Sequence, residues 1–263
     1  MNKIDQKLTE IKEQKRIGLM THVVVGYPSL NETVAIVKAM AEAGADFVEL
    51  QIPFSDPLAD GPTIMRACEE SLANGTKVKD AFSIMKQLSA EVSVPLLFMS
   101  YYNIVFRYGV EKFCRDAKEA GASGLIVPDM PIDEEGEEHF YAFAEKFDLH
   151  VIHVISPAST HERLKKNAVL SKGFIYCTAR QGITGAKKEL DPAIRSYLQE
   201  VKKYFSIPVA VGFGISNRDH ISSLKKEADI AIVGSALIDV IKNTDKKKRI
   251  TAIKQFISNL SVE

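Results

Sequence analysis

The chain of 263 residues sets 34 Lys and Arg against 34 Asp and Glu, and 46% of it is hydrophobic. This is enough for one large core, and the missing net charge excludes a long-range field for nucleic acid or anionic membrane, so any anion must be held by local geometry. Three unpatterned cysteines, Cys68, Cys114 and Cys177, argue against a disulfide framework or a metal site and for a reduced, cytoplasmic setting.

Residues 1–16 are highly charged and hold no apolar run suited to a signal peptide or a membrane span. Within them Ile4, Leu8 and Ile11 recur at helical spacing, which predicts a short amphipathic helix before the first strand. Strand one is expected over 18–25. Ser29 caps a helix to about Gly44 whose apolar face includes Val34, Ile36, Val37 and Met40. Strand two starts near Ala45 and runs into a loop stiffened by Pro53, Pro57 and Pro62. Helices over 63–73 and 78–92 are separated by Asn74 and Gly75. Strand three covers 94–100, a helix over 110–120 ends at Gly121, and strand four covers 124–127. Asp133 opens a helix to Phe147. Strand five spans 150–155, and His153 on it is expected to face inward, with no role assigned. Ser159 or Thr160 caps a helix to about Leu170, strand six covers 174–177, and a loop occupies 178–190. A helix from Pro192, strand seven over 208–211, a helix capped by Ser216, strand eight over 230–233 and helices over 236–241 and 247–260 complete the chain.

Eight strands rich in Val, Leu and Ile, each followed by a helix, predict a parallel sheet closed on itself. The expected fold is an α/β TIM (β/α)8 barrel, a single domain over 1–263 with an extra N-terminal helix. No G-x-G-x-x-G follows strand one, which disfavours a dinucleotide-binding module.

Active sites of such barrels lie at the strand C-terminal ends, where the stretch from Glu49 to Pro62 falls. Alternation puts Val48 and Leu50 on one face and Phe47, Glu49 and Gln51 on the other. With Val48 and Leu50 packed on the outer helices, Glu49 points inward, which suits general acid/base work. Asp60 follows eleven residues later on the stiff loop, so two carboxylates can face one substrate. Across the mouth, Gly212-Phe213-Gly214-Ile215-Ser216 follows strand seven and Gly234-Ser235-Ala236 opens a helix after strand eight. Glycines allow close backbone approach to an anion and a helix start offers free N–H groups, so this end is expected to bind phosphate. Gly185 adds a further N–H.

Glu49-Leu50-Gln51-Ile52-Pro53-Phe54-Ser55-Asp56-Pro57-Leu58-Ala59-Asp60-Gly61-Pro62 resembles the signature of the tryptophan synthase alpha subunit family, E-L-G-hydrophobic-P-F-S-D-P-x-A-D-G-P, and fits all positions but Gln51. The likeness spans nearly the whole chain: Ser100-Tyr101-Tyr102-Asn103, Asp129-Met130-Pro131, Tyr176 and Arg180-Gln181-Gly182-Ile183-Thr184-Gly185-Ala186 resemble further family segments, the last a mobile lid. The resemblance implies retro-aldol cleavage of indole-3-glycerol phosphate to indole and glyceraldehyde 3-phosphate, without metal or cofactor in this chain. Pyridoxal phosphate is expected only in a beta subunit that receives the indole, in an alpha2beta2 assembly. It further implies Glu49 as proton shuttle, Asp60 as acceptor of the ring N–H, and Tyr176 near the substrate side chain. His22, Gln51, Met99, Ile126, Thr184 and Phe213 are expected to line the substrate, and Gly185, Gly214, Gly234 and Ser235 to bind its phosphate. Pro53, Phe54, Asp56, Pro57, Asn103, Phe106 and Pro131 are expected to meet the partner.

Two positions depart from the family. His22 stands in place of a phenylalanine and Gln51 in place of a glycine, and both are expected to point into the mouth. One reading joins them by a hydrogen bond in a more polar pocket; the other folds Gln51 away. They keep open two alternatives to the lyase: a weakly catalytic subunit that activates a beta partner, or a lyase for a more polar glycerol phosphate.

Overall fold

In the computed structural model, which describes residues 1–178, 191–212 and 214–260, every strand pairing is parallel. The first part of the chain runs α1 (Lys3–Glu13), β1 (Gly18–Val24), α2 (Leu30–Glu42), β2 (Phe47–Gln51), α3 (Pro62–Ala73), α4 (Val78–Glu91) and β3 (Leu96–Met99). There follow α5 (Tyr102–Tyr108), α6 (Val110–Glu119), β4 (Gly124–Ile126), a 3-10 turn (Ile132–Glu134), α7 (Glu135–Glu138), α8 (Phe140–Lys146), β5 (His150–Val151) and β6 (Val154–Ile155). The last part holds α9 (His161–Leu170), β7 (Ile175–Thr178), α10 (Pro192–Lys202), β8 (Val209–Gly212), α11 (Arg218–Leu224), β9 (Ile230–Val233), α12 (Ser235–Asn243) and α13 (Lys246–Leu260).

The sheet order is β5-β4-β3-β2-β1-β9-β8-β7-β6. Its two ends belong to one continuous segment, 150–155, so the sheet closes into a ring. The Ile152 N–H donates to Leu125 O at 2.8 Å on one side, and the Tyr176 N–H donates to His153 O at 3.0 Å on the other. The expected fifth strand is therefore one stretch that serves both edges and is interrupted at its middle.

Strand alternation sorts the core into two layers. Met20, Phe47, Leu97, Met99, Ile126, Phe174 and Ile232 fill the barrel interior, with the Phe47 and Phe174 rings 5.6 Å apart. Val23, Val48, Leu50, Phe98, Leu125 and Val211 face the helices. Truncating a ring such as Phe47 would cost about 3–5 kcal/mol, because transfer and cavity terms add. The barrel floor is α1: Ile4 and Ile11 are buried in the interior cluster, and the Asn2 side chain caps the helix by accepting the Ile4 N–H at 2.9 Å. Glycines make room for this plug, since a Cβ at Gly18 would lie 2.6 Å from Ile11 Cδ1 and one at Gly124 2.9 Å from Ile4 Cδ1. The three cysteines are buried and free, with burial pushing each thiol up to about 12.

Four local expectations change. The helix expected over 133–147 is broken at His139, which is left-handed at φ 53, and α8 is capped by the Glu135 carboxylate accepting from Tyr141 N–H and Ala142 N–H. Asn217, not Ser216, caps α11, accepting the His220 N–H at 2.9 Å. Helix α5 is additional; its first N–H, from Tyr102, donates to Asp129 at 2.8 Å, a cap that arrives from another loop. His153 faces outward rather than inward, its ring stacked on Tyr141 of α8 at 4.9 Å.

Candidate active site

Glu49 and Gln51 share the inward face of β2 with Phe47 because side chains alternate along a strand. Parallel pairing with β1 sets His22 opposite Glu49, and pairing with β3 sets Met99 opposite Gln51. The site is sealed at its base: Glu49 is 2% exposed, His22 4% and Gln51 0%. His22 Nδ1 lies 3.4 Å from Glu49 Oε1.

After β2 the chain leaves the sheet, and the loop returns Asp60 to the same mouth. Tyr101, on the interior face just past β3, holds it there. Its hydroxyl accepts the Ala59 N–H at 3.0 Å and donates to Asp60 Oδ2 at 3.0 Å, while its ring stacks on Phe54 at 5.3 Å. The Gln51 amide donates to the same Asp60 Oδ2 at 2.6 Å. Of the two readings of Gln51, one joining it to His22 and one folding it away, the amide donates to Asp60 while staying close enough to His22 to help raise its pKa. Tyr101 is the residue to which the sequence reading gave no role; its place two positions beyond Met99 on the same face was the available signal.

Burial would lower the His22 imidazolium pKa, but the Glu49 charge and hydrogen bond, then Asp60 and the nearby Gln51 amide, outweigh it and raise it above the ordinary histidine value. Burial raises the Asp60 carboxyl, opposed by His22 and by the Gln51 and Tyr101 donors. Tyr176 is held well above the usual phenol range, first by burial and then by the Glu49 and Asp60 charges, so it keeps its proton. Three buried polar atoms of this cluster, His22 Nε2, Glu49 Oε2 and Gln51 Oε1, lack a hydrogen-bond partner. Buried polar atoms are rarely left so, and in one cluster they are groups that a ligand or ordered water would complete.

Gly212 gives Tyr176 its place, since a Cβ there would lie 2.9 Å from the ring Cε2. Gly214 adopts φ 68, which favours glycine. Gly234 leads into α12, which has no side-chain cap, and an added Cβ on Gly234 would lie 3.7 Å from His22 Cβ. The helix start with Ser235 therefore abuts the carboxylate cluster and presents unbonded N–H groups. Met99 and Ile126 line the interior below. Thr184, Gly185 and Phe213 lie outside the described residues.

Of the residues expected to meet a partner, Phe106 is 56% exposed on α5 and the neighbouring Leu58 is 94% exposed. Asp56 is exposed, Phe54, Asn103 and Pro131 are partly so or exposed, but Pro53 and Pro57 are buried within the chain. Those two prolines shape the loop rather than form its surface. Among the described residues there is no His, Cys, Asp and Glu cluster suited to a metal ion, and no helix is long and apolar enough to cross a membrane.

Comparison with known proteins gives the family and the fold. The family model described as tryptophan synthase alpha chain matches residues 8–262. The tryptophan synthase alpha chain of Desulfotalea psychrophila is 44% identical over 257 residues, 98% of this chain and 99% of that one. That of Caldanaerobacter subterraneus is 39% identical over 261 residues, 99% and 98% of the two chains. Among solved structures, the alpha subunit from Legionella pneumophila superposes with a TM-score of 0.90 at 30% identity, covering 99% and 97%. A ligand-free tryptophan synthase from M. tuberculosis gives 0.88 at 32%, covering 99% and 98%.

Proposed function

The chain belongs to the tryptophan synthase alpha chain family, lyases that cleave indole-3-glycerol phosphate to indole and glyceraldehyde 3-phosphate in tryptophan biosynthesis, and from that membership we propose how its own residues carry the reaction. The observation that carries the proposal is a buried Glu49 at the mouth of the ring with Asp60 brought beside it by the adjoining loop.

Glu49 delivers a proton to C3 of the indole ring. The ring nitrogen then becomes positive, and the Asp60 carboxylate accepts its N–H and stabilises that charge in a site shielded from water. Glu49 next takes the proton of the side-chain hydroxyl. The carbon–carbon bond to C3 breaks, its electron pair returns to the ring, and the hydroxyl carbon leaves as the aldehyde. The proton count on Glu49 closes, so one carboxyl serves both transfers. Tyr176 keeps its O–H and faces the substrate side chain. Phosphate binds at the start of α12, through Gly234 and Ser235, with Gly214 and, by resemblance, Gly185. Thr184 and Phe213 complete the pocket by the same resemblance, alongside His22, Gln51, Met99 and Ile126.

A tryptophan synthase beta subunit is the proposed partner in an alpha2beta2 complex. The exposed Leu58 and Phe106, flanked by Asp56, Asn103 and Pro131, support this as its landing surface. The pyridoxal phosphate of such a complex is assigned to the beta subunit, this chain needing no cofactor, and the setting is the cytoplasm. The whole chain acts as one barrel domain.

The test is cleavage of indole-3-glycerol phosphate by the purified chain, alone and with a beta subunit. Glu49→Gln is expected to lower turnover by about 10²–10⁴-fold, the usual share of a general acid/base. Asp60→Asn is expected to lower it by about 10²–10³-fold, the scale of one preorganised electrostatic contact. Equal turnover in wild type and both variants, or no cleavage under either condition, would overturn the assignment.

A further inference from the structure

Asp60 sits on a loop that forms no regular structure between Ile52 and Gly61, yet its carboxylate is fixed from the sheet. Both donors reach one oxygen: Gln51 Nε2 at 2.6 Å and the Tyr101 hydroxyl at 3.0 Å both meet Oδ2. Gln51 itself is fully buried at the end of β2, so its amide is a rigid anchor rather than a mobile surface group. A short N–H bond to a carboxylate is about twice as strong as a neutral one.

We propose that Gln51 is a positioning residue for the lyase reaction, clamping Asp60 to β2 so that Oδ2 is satisfied and Oδ1 is left as the acceptor for the substrate's ring N–H. The inference rests on the lyase reading above. Gln51 thereby acts through Asp60. The groups facing Asp60 are His22 from β1, Glu49 and Gln51 from β2, Tyr101 after β3, Cys68 of α3 and Tyr176 of β7. Of these, Gln51 and Tyr101 are the two hydrogen-bond donors to it. The Gln51 Oε1 meets no hydrogen-bond donor within bonding geometry, so a hydrocarbon side chain of similar length removes the donor to Asp60 and, beside it, only a polar neighbour of His22.

The test is a double-mutant cycle with Gln51→Leu and Asp60→Asn, read by kcat/KM against pH, with Gln51→Met as the substitute should the leucine variant not fold. Gln51→Leu is expected to lower kcat/KM by about tenfold to a hundredfold, the value of one hydrogen bond to a charged group. Its acidic limb should move to higher pH, because Asp60 has lost a donor that favours its anion. In the Asp60→Asn background the same change should cost little, since residues in one network are not additive. An additive loss, or an unmoved acidic limb, overturns the clamp. Titration of the Asp60 carboxyl carbon by NMR in wild type and Gln51→Leu separates the two readings. If the wild type cleaves nothing, the lyase reading fails, while a higher Asp60 midpoint in the variant still supports the clamp and an unchanged one still overturns it.

Discussion

His22 Nδ1 and Glu49 Oε1 stand 3.4 Å apart on neighbouring strands, with both side chains buried. Burial disfavours the His22 imidazolium and the neighbouring Glu49 charge opposes that cost, so one proton is shared within the pair and can be carried by either group. The folded His22 pKa is raised, so the pair contributes its full stability below the unfolded value of about 6.5. That contribution is lost as pH rises through the raised folded value. Comparing thermal unfolding of wild type and His22→Phe across pH, the wild-type advantage should shrink from pH 6 to pH 9. A constant difference, together with a His22 NMR midpoint at the ordinary histidine value, would contradict the pairing.

His153 has the opposite sign. Burial lowers its pKa to about 4, against partial support from Asn167 and the Leu170 backbone. The unfolded chain therefore binds the extra proton first, and stability falls as pH drops from about 6.5 towards 4, by on the order of 3 kcal/mol when complete. His153→Phe keeps a flat ring against Tyr141 and removes the titrating group. It should flatten that part of the acid-unfolding curve, which urea titrations at pH 7, 5 and 4 would measure.

Tyr101→Phe keeps the stack on Phe54 but deletes the hydroxyl that serves both Ala59 and Asp60. The expected cost is about 1 kcal/mol of stability, the net worth of an ordinary hydrogen bond. Turnover should drop by about tenfold as the loop loses its second tether. Turnover equal to wild type would show that Gln51 alone holds the carboxylate.

Two glycines at the mouth should respond differently to alanine. At Gly212 the new methyl would press on Tyr176 from 2.9 Å, so Gly212→Ala is expected to cost about 1–3 kcal/mol and to displace the ring. At Gly234 the nearest atoms stand at 3.6 Å and 3.7 Å, ordinary contact distances, so Gly234→Ala should fold normally. Its effect should instead be a KM for indole-3-glycerol phosphate about tenfold higher, from weakened phosphate contact at the helix start. Steady-state kinetics beside a melting curve would distinguish the two.

The features that depend on strand period were legible from sequence. Alternation alone put Glu49 and Gln51 on the inward face and Val48 and Leu50 on the helix side, as the two core layers now have them. Features fixed through space were not. Helix α5 depends on a cap from Asp129, 27 residues away. The break at His139, inside the helix expected over 133–147, goes with the Glu135 carboxylate serving the first N–H groups of the next helix. Strand adjacency leaves open whether Gln51 meets His22 or folds away; that its amide donates to Asp60 depends on the loop position that Tyr101 holds. His153 faces outward with Val151 and Ile155, while Ile152 and Val154 face inward, so period two runs unbroken through the segment and itself gives the side of His153.

The glycines beneath the barrel bind its strands to its first helix. Gly18, Gly124 and Gly173 each stand where a β-carbon would meet Ile11 or Ile4 at 3.2 Å or less. Neither half can be exchanged on its own. Filling out the strands would evict the stopper, and trimming the stopper would leave bare backbone at the bottom of the stave ring, open to water from the end opposite the chemistry.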